Sequence, residues 1–428
     1  MKINSIEIEA FRSLYSVRLR LGDFSALVGP NNAGKTNLAD ALQFLGEVAR
    51  HGLEVAVSRK GGFENIAFRR KRRTKRPVRF AVNVSLDESE ADYFPEGERR
   101  GRPIKLNVTY EFAIRAPSES READYLVDYE QFIVRREYST AARTLARPPL
   151  FELHRRENDV QVHSPEGLSN RLRRAIDPLT ETWFISDFLL RRVGSTDLLL
   201  PQIRFMGIGA PVFRSIGATR LYQLSPVECR KSGSPTPNPE MDVHGGNLPA
   251  VVRYIQRNHE DAWNATLDAM RKIVPELEDI ETDFTHDRRL ALQFVESGAG
   301  RPWASAEVSD GTIQSLALFI ALFDPRIPLV LIEEPENSVH PWIVRTFVDA
   351  CRTAPNKRVL VTTHSPALIS YLRPDELTVV WRREGRTEVR PLHELDPQAL
   401  SLWESGQVNT FDLVDQGFVR QTVPEGFA

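Results

Sequence analysis

The chain has 428 residues, of which 41% are hydrophobic and 27% are charged, and its formal net charge is -2. This hydrophobic content supports a sizeable folded core, and the near-neutral charge by itself indicates no particular partner. The sequence has no run of about 18 apolar residues and no secretory signal. Its only cysteines, Cys229 and Cys351, are too few and too far apart for a disulfide framework or a metal site, so we expect a cytoplasmic protein with no membrane partner.

The first strong motif lies in residues 24–37, which read FSALVGPNNAGKTN. An apolar strand leads into GPNNAGKT, which fits the phosphate-binding pattern G-x-x-x-x-G-K-[ST], and apolar residues at helical spacing follow. Lys35 would contact the β and γ phosphates, and the Thr36 hydroxyl would bind magnesium. Backbone amides and the helix N-terminus would surround the phosphates. The predicted nucleotide contacts are Gly29, Pro30, Asn31, Asn32, Ala33, Gly34, Lys35, Thr36 and Asn37. An ordinary glycine-rich turn is the alternative.

Positive charge is concentrated in residues 69–76, which read RRKRRTKR, seven basic residues in eight. Such a run attracts phosphate backbones without reading their sequence. A solvated loop or a docking point for an acidic protein explains it equally well, and no interleaved aromatic residues indicate base stacking. The predicted nucleic-acid contacts are Arg69, Arg70, Lys71, Arg72, Arg73, Lys75 and Arg76.

Alternating apolar residues predict an antiparallel sheet in the first part of the chain, with strands near 3–9, 78–86, 104–114, 125–135 and 151–154. Residues 167–192 have helical spacing. They lack the sustained heptads and the C-x-x-C motif of a long coiled-coil arm. Residues 226–247 are rich in proline, glycine and serine, and they predict a mobile loop before a helix at 248–257.

A second chemical motif follows at residues 328–334, which read PLVLIEE. Four apolar residues running into two carboxylates indicate a buried parallel strand with acids at its carboxyl end. Glu333 would hold magnesium through water, and Glu334 would orient and deprotonate the water that attacks the γ phosphate. Alone, the pair would be read as a solvated strand end. After a phosphate-binding motif, the catalytic interpretation is favoured.

Two weaker motifs accompany this pair. A strand at 358–363 leads into His364, which could hydrogen-bond a γ phosphate or be an ordinary loop histidine. The sequence SDGT at 309–312 opens a helical pattern, where Ser309 and Gly311 could form an anion-binding surface. The same letters also cap ordinary helices.

In this order the motifs resemble the ATPase heads of the ABC superfamily, specifically the RecF, SMC and OLD-like branch often labelled AAA_21. Residues 10–13 (AFRS) and 246–248 (GNL) add to the resemblance. It implies an α/β fold with a mixed antiparallel β lobe, a parallel α/β lobe and a helical insertion. The implied limits are 1–165 for the N-terminal lobe, 166–260 for the helical insertion and loop, 261–392 for the C-terminal lobe, and 393–428 for a tail.

The resemblance also implies a composite site in which two heads face each other and share ATP and Mg²⁺. Lys35, Thr36, Glu333, Glu334 and His364 would act within one subunit, with Arg12 among the nucleotide contacts. Ser309 and Gly311 would reach the γ phosphate bound by the partner, and residues 337–340 would lie at the dimer axis as the D-loop. Glu333 stands where transporters carry aspartate, and SDGT replaces SGGQ. The Q-loop residue is not placed; Gln131 is a candidate no better than a surface glutamine.

Only 64 residues follow His364, too few for the TOPRIM nuclease domain of OLD proteins, so any nuclease or other effector would be a separate polypeptide. One functional hypothesis is therefore an ATPase whose ATP-driven homodimerisation, or higher assembly, senses or clamps DNA or RNA and controls that effector in anti-phage defence or DNA repair. The other is a nucleotide-switched scaffold or protein-binding module with negligible turnover. The sequence identifies neither the trigger nor the effector.

Overall fold

The computed structural model describes residues 1–68, 76–87, 105–117, 124–136, 148–157, 159–163, 193–203, 208–406 and 408–415. Its strands are β1 (Lys2–Phe11), β2 (Leu14–Arg20), β3 (Phe24–Val28), β4 (Val78–Asp87), β5 (Lys105–Arg115), β6 (Leu126–Arg136), β7 (Phe151–Arg156), β8 (Asp159–His163), β9 (Arg220–Tyr222), β10 (Leu277–Phe284), β11 (Leu290–Glu296), β12 (Trp303–Ala304), β13 (Leu329–Glu333), β14 (Arg358–Thr363), β15 (Leu377–Arg383) and β16 (Arg386–Pro391). Its helices are α1 (Lys35–His51), α2 (Leu53–Arg59), α3 (Phe63–Ile66), α4 (Leu200–Ile203), α5 (Gly209–Gly217), α6 (Pro226–Cys229), α7 (Leu248–Asn258), α8 (Glu260–Ile273), α9 (Asp310–Phe323), α10 (Pro341–Thr353), α11 (Pro366–Tyr371), α12 (Leu392–Leu395), α13 (Ala399–Glu404) and α14 (Thr410–Asp415).

The chain divides into two compact units that interleave along the sequence. The first comprises Met1–Leu21, Thr36–Thr219 and Arg382–Val389, and the second comprises Gly22–Lys35, Arg220–Trp381 and Arg390–Ala428. The four sequence limits given above for lobes, insertion and tail stay a prediction.

The first unit is built on a sheet with the strand order β8-β7-β6-β5-β4-β1-β2-β16. Neighbours are antiparallel, except that β16 runs parallel to β2. An aromatic cluster of Phe11, Phe44, Phe80 and Phe112 packs helix α1 against this sheet, with neighbouring ring centroids between 5.4 and 5.7 Å apart. Large buried rings contribute much of the core energy of a small sheet, so this cluster holds the middle of α1 on the sheet.

The second unit contains a parallel sheet with the order β15-β3-β14-β13-β9. The apolar runs of β3, β13 and β14 are buried, as expected for strands covered on both faces. In the register, Thr363 lies opposite Val28 and Glu333 lies opposite Thr362. The carboxyl ends of β3, β14 and β13 therefore meet at one edge, and the predicted α/β class with an antiparallel part and a parallel part is confirmed.

Two sequence interpretations of the central part have different outcomes. Residues 226–247, read as a mobile loop, include helix α6 and are held in place: Asp242 accepts hydrogen bonds from the amides of Gly246 at 2.8 Å and His244 at 3.0 Å. Such aspartate-stabilised turns order a segment without regular periodicity. Residues 167–192, read as helical, lie outside the described residues. None of the helices in the described ranges combines the length and the hydropathy that a membrane span requires.

Candidate functional site

The loop between β3 and α1 has a tightly constrained backbone. Gly29 lies against β15, where an added Cβ would stand 1.9 Å from the carbonyl oxygen of Val380. Asn32 and Gly34 adopt positive φ angles of 66° and 109°, a region in which glycine is unstrained and asparagine is tolerated. The loop thus has the close backbone approach that the motif predicts, and Asn31 at its tip is exposed.

Lys35 begins α1 and turns its side chain back into this loop. Its Nζ donates to the carbonyl oxygens of Gly29 at 2.5 Å and Pro30 at 3.1 Å, while the Ala33 amide also donates to Pro30, at 3.2 Å. Burial lowers the pKa of Lys35, and the negative charges of Glu334 and then Glu333 oppose that shift. The ammonium is therefore placed inside the loop, within the electrostatic reach of both carboxylates.

Glu333 is the last residue of β13, and Glu334 follows it. Glu334 has a φ of 46°, a left-handed conformation that is strained for a residue with a Cβ, and its amide donates to the Thr362 carbonyl at 2.9 Å. Its Oε1 is 2.9 Å from His364 Nδ1, and its Oε2 accepts from Asn337 Nδ2 at 3.0 Å. Strained residues cluster at functional sites. Because the Glu334 side chain is 36% exposed, water can reach this carboxylate.

The predicted signature residues lie at the start of α9. Ser309 is the N-cap, and its Oγ accepts from the Thr312 amide at 3.1 Å. An added Cβ on Gly311 would lie 3.4 Å from the Ser338 carbonyl oxygen. The structure therefore places the signature loop beside residues 337–340, the segment interpreted above as the D-loop.

Arg230 holds the signature loop, a role that the sequence did not suggest. Its guanidinium pairs with Asp310 at 2.5 Å and donates to the carbonyls of Ser305 at 3.0 Å and Val308 at 2.9 Å. A guanidinium forms a rigid fork of donors, which suits it to fixing a loop at several points. Arg230 lies in the segment interpreted above as a mobile loop, so no local motif predicted this contact.

The predicted contacts of the first unit cluster around the first turns of α1. Arg12, with a φ of 48°, forms an ion pair with Asp40, and Asn37 Nδ2 donates to Ser13 Oγ at 2.7 Å. Thr36 is exposed. Arg12 and Asn37 are thus anchored to the helix start that follows the loop.

Magnesium in phosphate sites usually keeps waters and takes one or two protein oxygen ligands in addition to substrate phosphates. Among the described residues, no group of three or more His, Cys, Asp or Glu side chains could hold a metal alone. The exposed Thr36 hydroxyl and the half-buried Glu333 carboxylate are hard oxygen donors of the required kind. Each side chain is therefore of the kind that binds a magnesium ion arriving with a nucleotide.

The remaining predicted contacts have mixed outcomes. Residues 69–75 of the basic run lie outside the described part of the chain. Arg76 pairs with Glu9, and its guanidinium lies 4.5 Å from the centre of the Tyr15 ring, so it is already engaged within the protein. Gln131 lies within β6 and donates to Glu111 at 2.6 Å, a position on a strand rather than a loop.

Two family models match the chain. The model described as "AAA ATPase domain" covers residues 1–154, and the model described as "AAA domain, putative AbiEii toxin, Type IV TA system" covers residues 216–370. The first range contains the loop at 29–37, and the second contains Ser309, Glu334 and His364. No curated protein matches.

The chain is also similar to solved SMC head structures. An SMC head bound to the C-winged helix domain of ScpA has 14% identity and a TM-score of 0.49, over 91% of this chain and 97% of that one. An Smc head with an extended coiled coil, bound to the C-terminal domain of ScpA and derived from Pyrococcus furiosus, has 14% identity and a TM-score of 0.45, over 95% and 100%. The SMC head domain from Thermotoga maritima has 13% identity and a TM-score of 0.39, over 91% and 99%.

Proposed function

We propose that the chain is an ABC-type ATPase of the RecF, SMC and OLD-like branch, and that it hydrolyses ATP to ADP and phosphate in a site shared between two subunits. The observation that carries this proposal is the Glu334–His364 pair at the strand edge that also bears the Lys35 loop. A phosphate-binding loop, a solvent-accessible carboxylate and an imidazole at one edge suit phosphoryl transfer to water.

Each side chain has a distinct role in this reaction. Lys35 exchanges its loop carbonyl contacts for the β and γ phosphates. Glu334 orients the attacking water and accepts its proton as the oxygen bonds to the γ phosphorus and the bond to the β–γ bridging oxygen breaks. His364 hydrogen-bonds the γ phosphate and reports its presence to Glu334. Magnesium, held by Thr36 and Glu333, would neutralise phosphate charge.

Ser309 and Gly311 of a second subunit complete the site in this proposal. Two variants test it: Lys35→Ala, which removes the phosphate contact, and Ser309→Arg, which blocks the signature surface. Each alone is expected to be inactive. In an equal mixture, random pairing leaves about one quarter of all sites with both halves intact, so about one quarter of wild-type phosphate release should return. Full activity of Ser309→Arg alone, or a mixture that stays inactive, contradicts a site shared in trans.

We further propose that the dimer senses or clamps nucleic acid through the basic run. Reversing Arg70, Arg72 and Arg73 to glutamate is expected to weaken DNA binding and to lower the salt slope by about 0.9 for each phosphate that the protein no longer neutralises. Fluorescence anisotropy over a salt series measures both. A matched control reverses the exposed Arg257, Arg288 and Arg345, which changes the net charge equally. Equal reductions in the two triple variants would rule out a specific role for the run.

The output is proposed to come from a separately encoded effector, such as a nuclease, in anti-phage defence or DNA repair. The description of the second family model, which names a toxin system, supports this assignment. The genes beside this one test it. A neighbouring nuclease or toxin gene whose product co-purifies with the ATP-bound dimer supports the proposal, and a neighbour product with no nucleotide-dependent association counts against it.

A further inference from the structure

Thr363, the last residue of β14, is fully buried, and its hydroxyl takes part in two hydrogen bonds. Oγ1 donates to Glu336 Oε1 at 2.6 Å and accepts from the Ser365 amide at 3.0 Å. The first hydrogen bond reaches across to the segment after β13, and the second spans His364. One buried hydroxyl therefore joins the two chain segments that carry the Glu334–His364 pair.

Glu336 is the other half of this link. Its Oε2 is buried and has no hydrogen-bond partner among the described residues. Burial raises the pKa of Glu336; the Thr363 hydrogen bond opposes this rise, the charge of Glu334 adds to it, and that of His364 opposes it. A buried polar atom without a partner is unfavourable and uncommon in a folded protein. Glu336 is thus a costly group to bury, and it lies two residues from Glu334.

The surrounding backbone makes the link short and stiff. The Glu334 amide is bound to the Thr362 carbonyl at 2.9 Å, and the Asn337 amide is bound to the Glu334 carbonyl at 3.0 Å. The Glu334 backbone is therefore fixed to β14, while the Glu336 side chain ties the turn beyond it to Thr363. A shift at either end would therefore be expected to change the 2.9 Å contact between Glu334 and His364.

We propose that Glu336 and Thr363 are positioning residues, which act through Glu334 and His364 to align the carboxylate with the attacking water. This inference rests on the proposed ATP hydrolysis. Misplacement of a reacting group by about 1 Å can cost about 100-fold in rate. The link thus controls kcat rather than nucleotide affinity, because the Lys35 loop is fixed separately through Gly29 and β15.

The matched variants Thr363→Val and Thr363→Ser test the link. Valine keeps the volume and removes the hydroxyl, whereas serine keeps the hydroxyl. In the full-length protein, Thr363→Val is expected to lower kcat by about 10- to 100-fold, while KM for ATP stays within about twofold of the wild-type value. Thr363→Ser is expected to retain most of the wild-type kcat. Glu336→Ala should match Thr363→Val, and the double variant should be no slower than either, because residues that act as one unit are not additive.

Several outcomes would overturn the proposal. One is wild-type kcat in Thr363→Val. Another is a double variant whose loss is the product of the single losses. A third is a rise in KM for ATP in Thr363→Val as large as its fall in kcat, which would indicate a structural role at the nucleotide loop. Rates are measured below the unfolding midpoint of each variant, so loss of fold is separated from loss of alignment. A wild-type protein without turnover overturns the proposed function as well, whereas an active wild type with unchanged variants overturns only the positioning role.

Discussion

Glutamine in place of Glu334 is expected to lower kcat for ATP hydrolysis by about 10²- to 10⁴-fold, the usual effect of losing one general base. The amide cannot accept a proton from water. It retains the size of the side chain and one oxygen that can accept a hydrogen bond from His364 or Asn337, the two groups that contact Glu334. The Lys35 loop is unchanged, so affinity for ATP should persist.

Phosphate release measures the expected loss of kcat, and binding of a fluorescent ATP analogue measures whether ATP affinity persists. Glu278→Gln is a suitable control, because Glu278 is also exposed and lies on β10, outside the strands that carry the site. The variant with bound ATP should also accumulate as a dimer in size-exclusion chromatography, since hydrolysis no longer separates the heads. If the wild type releases no more phosphate than Glu334→Gln, with or without DNA, the protein is instead a nucleotide-switched scaffold.

The parts of the molecule that the sequence predicted well are those with a local signal. The strand before Gly29, the buried run that ends at Glu333 and the helix after Ser309 each combine an apolar pattern with a boundary residue. Their structure follows from short-range preferences: alternating or continuous apolar residues fix the strand, and an N-cap serine fixes the helix start. The ends of these strands meet because the strands are parallel, so that their carboxyl ends lie at one edge of the sheet.

The residues that the sequence did not reveal act over long separations. Arg230 holds Asp310 across 80 positions, and Thr363 holds Glu336 across 27. No spacing rule connects such pairs, since their contact depends on how the elements pack. Arg76 shows the converse case: its place in a basic run predicts a free cation, yet Glu9 and Tyr15 hold it on the sheet. Only a structure separates these alternatives.

Alanine in place of Gly29 is the second change with a large expected effect. The added Cβ would lie 1.9 Å from the Val380 carbonyl oxygen, and β15 is buried at that point. Backbone cannot rotate away as a flexible side chain can, so either β15 shifts or the loop opens. Overpacking of this kind costs about 1–3 kcal/mol and occasionally more, and we expect a loss of stability near the top of that range.

Because the same displacement moves the carbonyl that holds Lys35 Nζ, nucleotide affinity should fall by at least about tenfold, in line with a reduction of about 1.4 kcal/mol in binding free energy. Thermal unfolding and titration with an ATP analogue measure the two effects. Gly300→Ala is the matched control, since a Cβ there meets nothing within 4 Å. A Gly29→Ala protein with the stability and affinity of that control would show that the loop tolerates a side chain. The tight contact with β15 would then not be what makes glycine necessary at the start of the phosphate-binding loop.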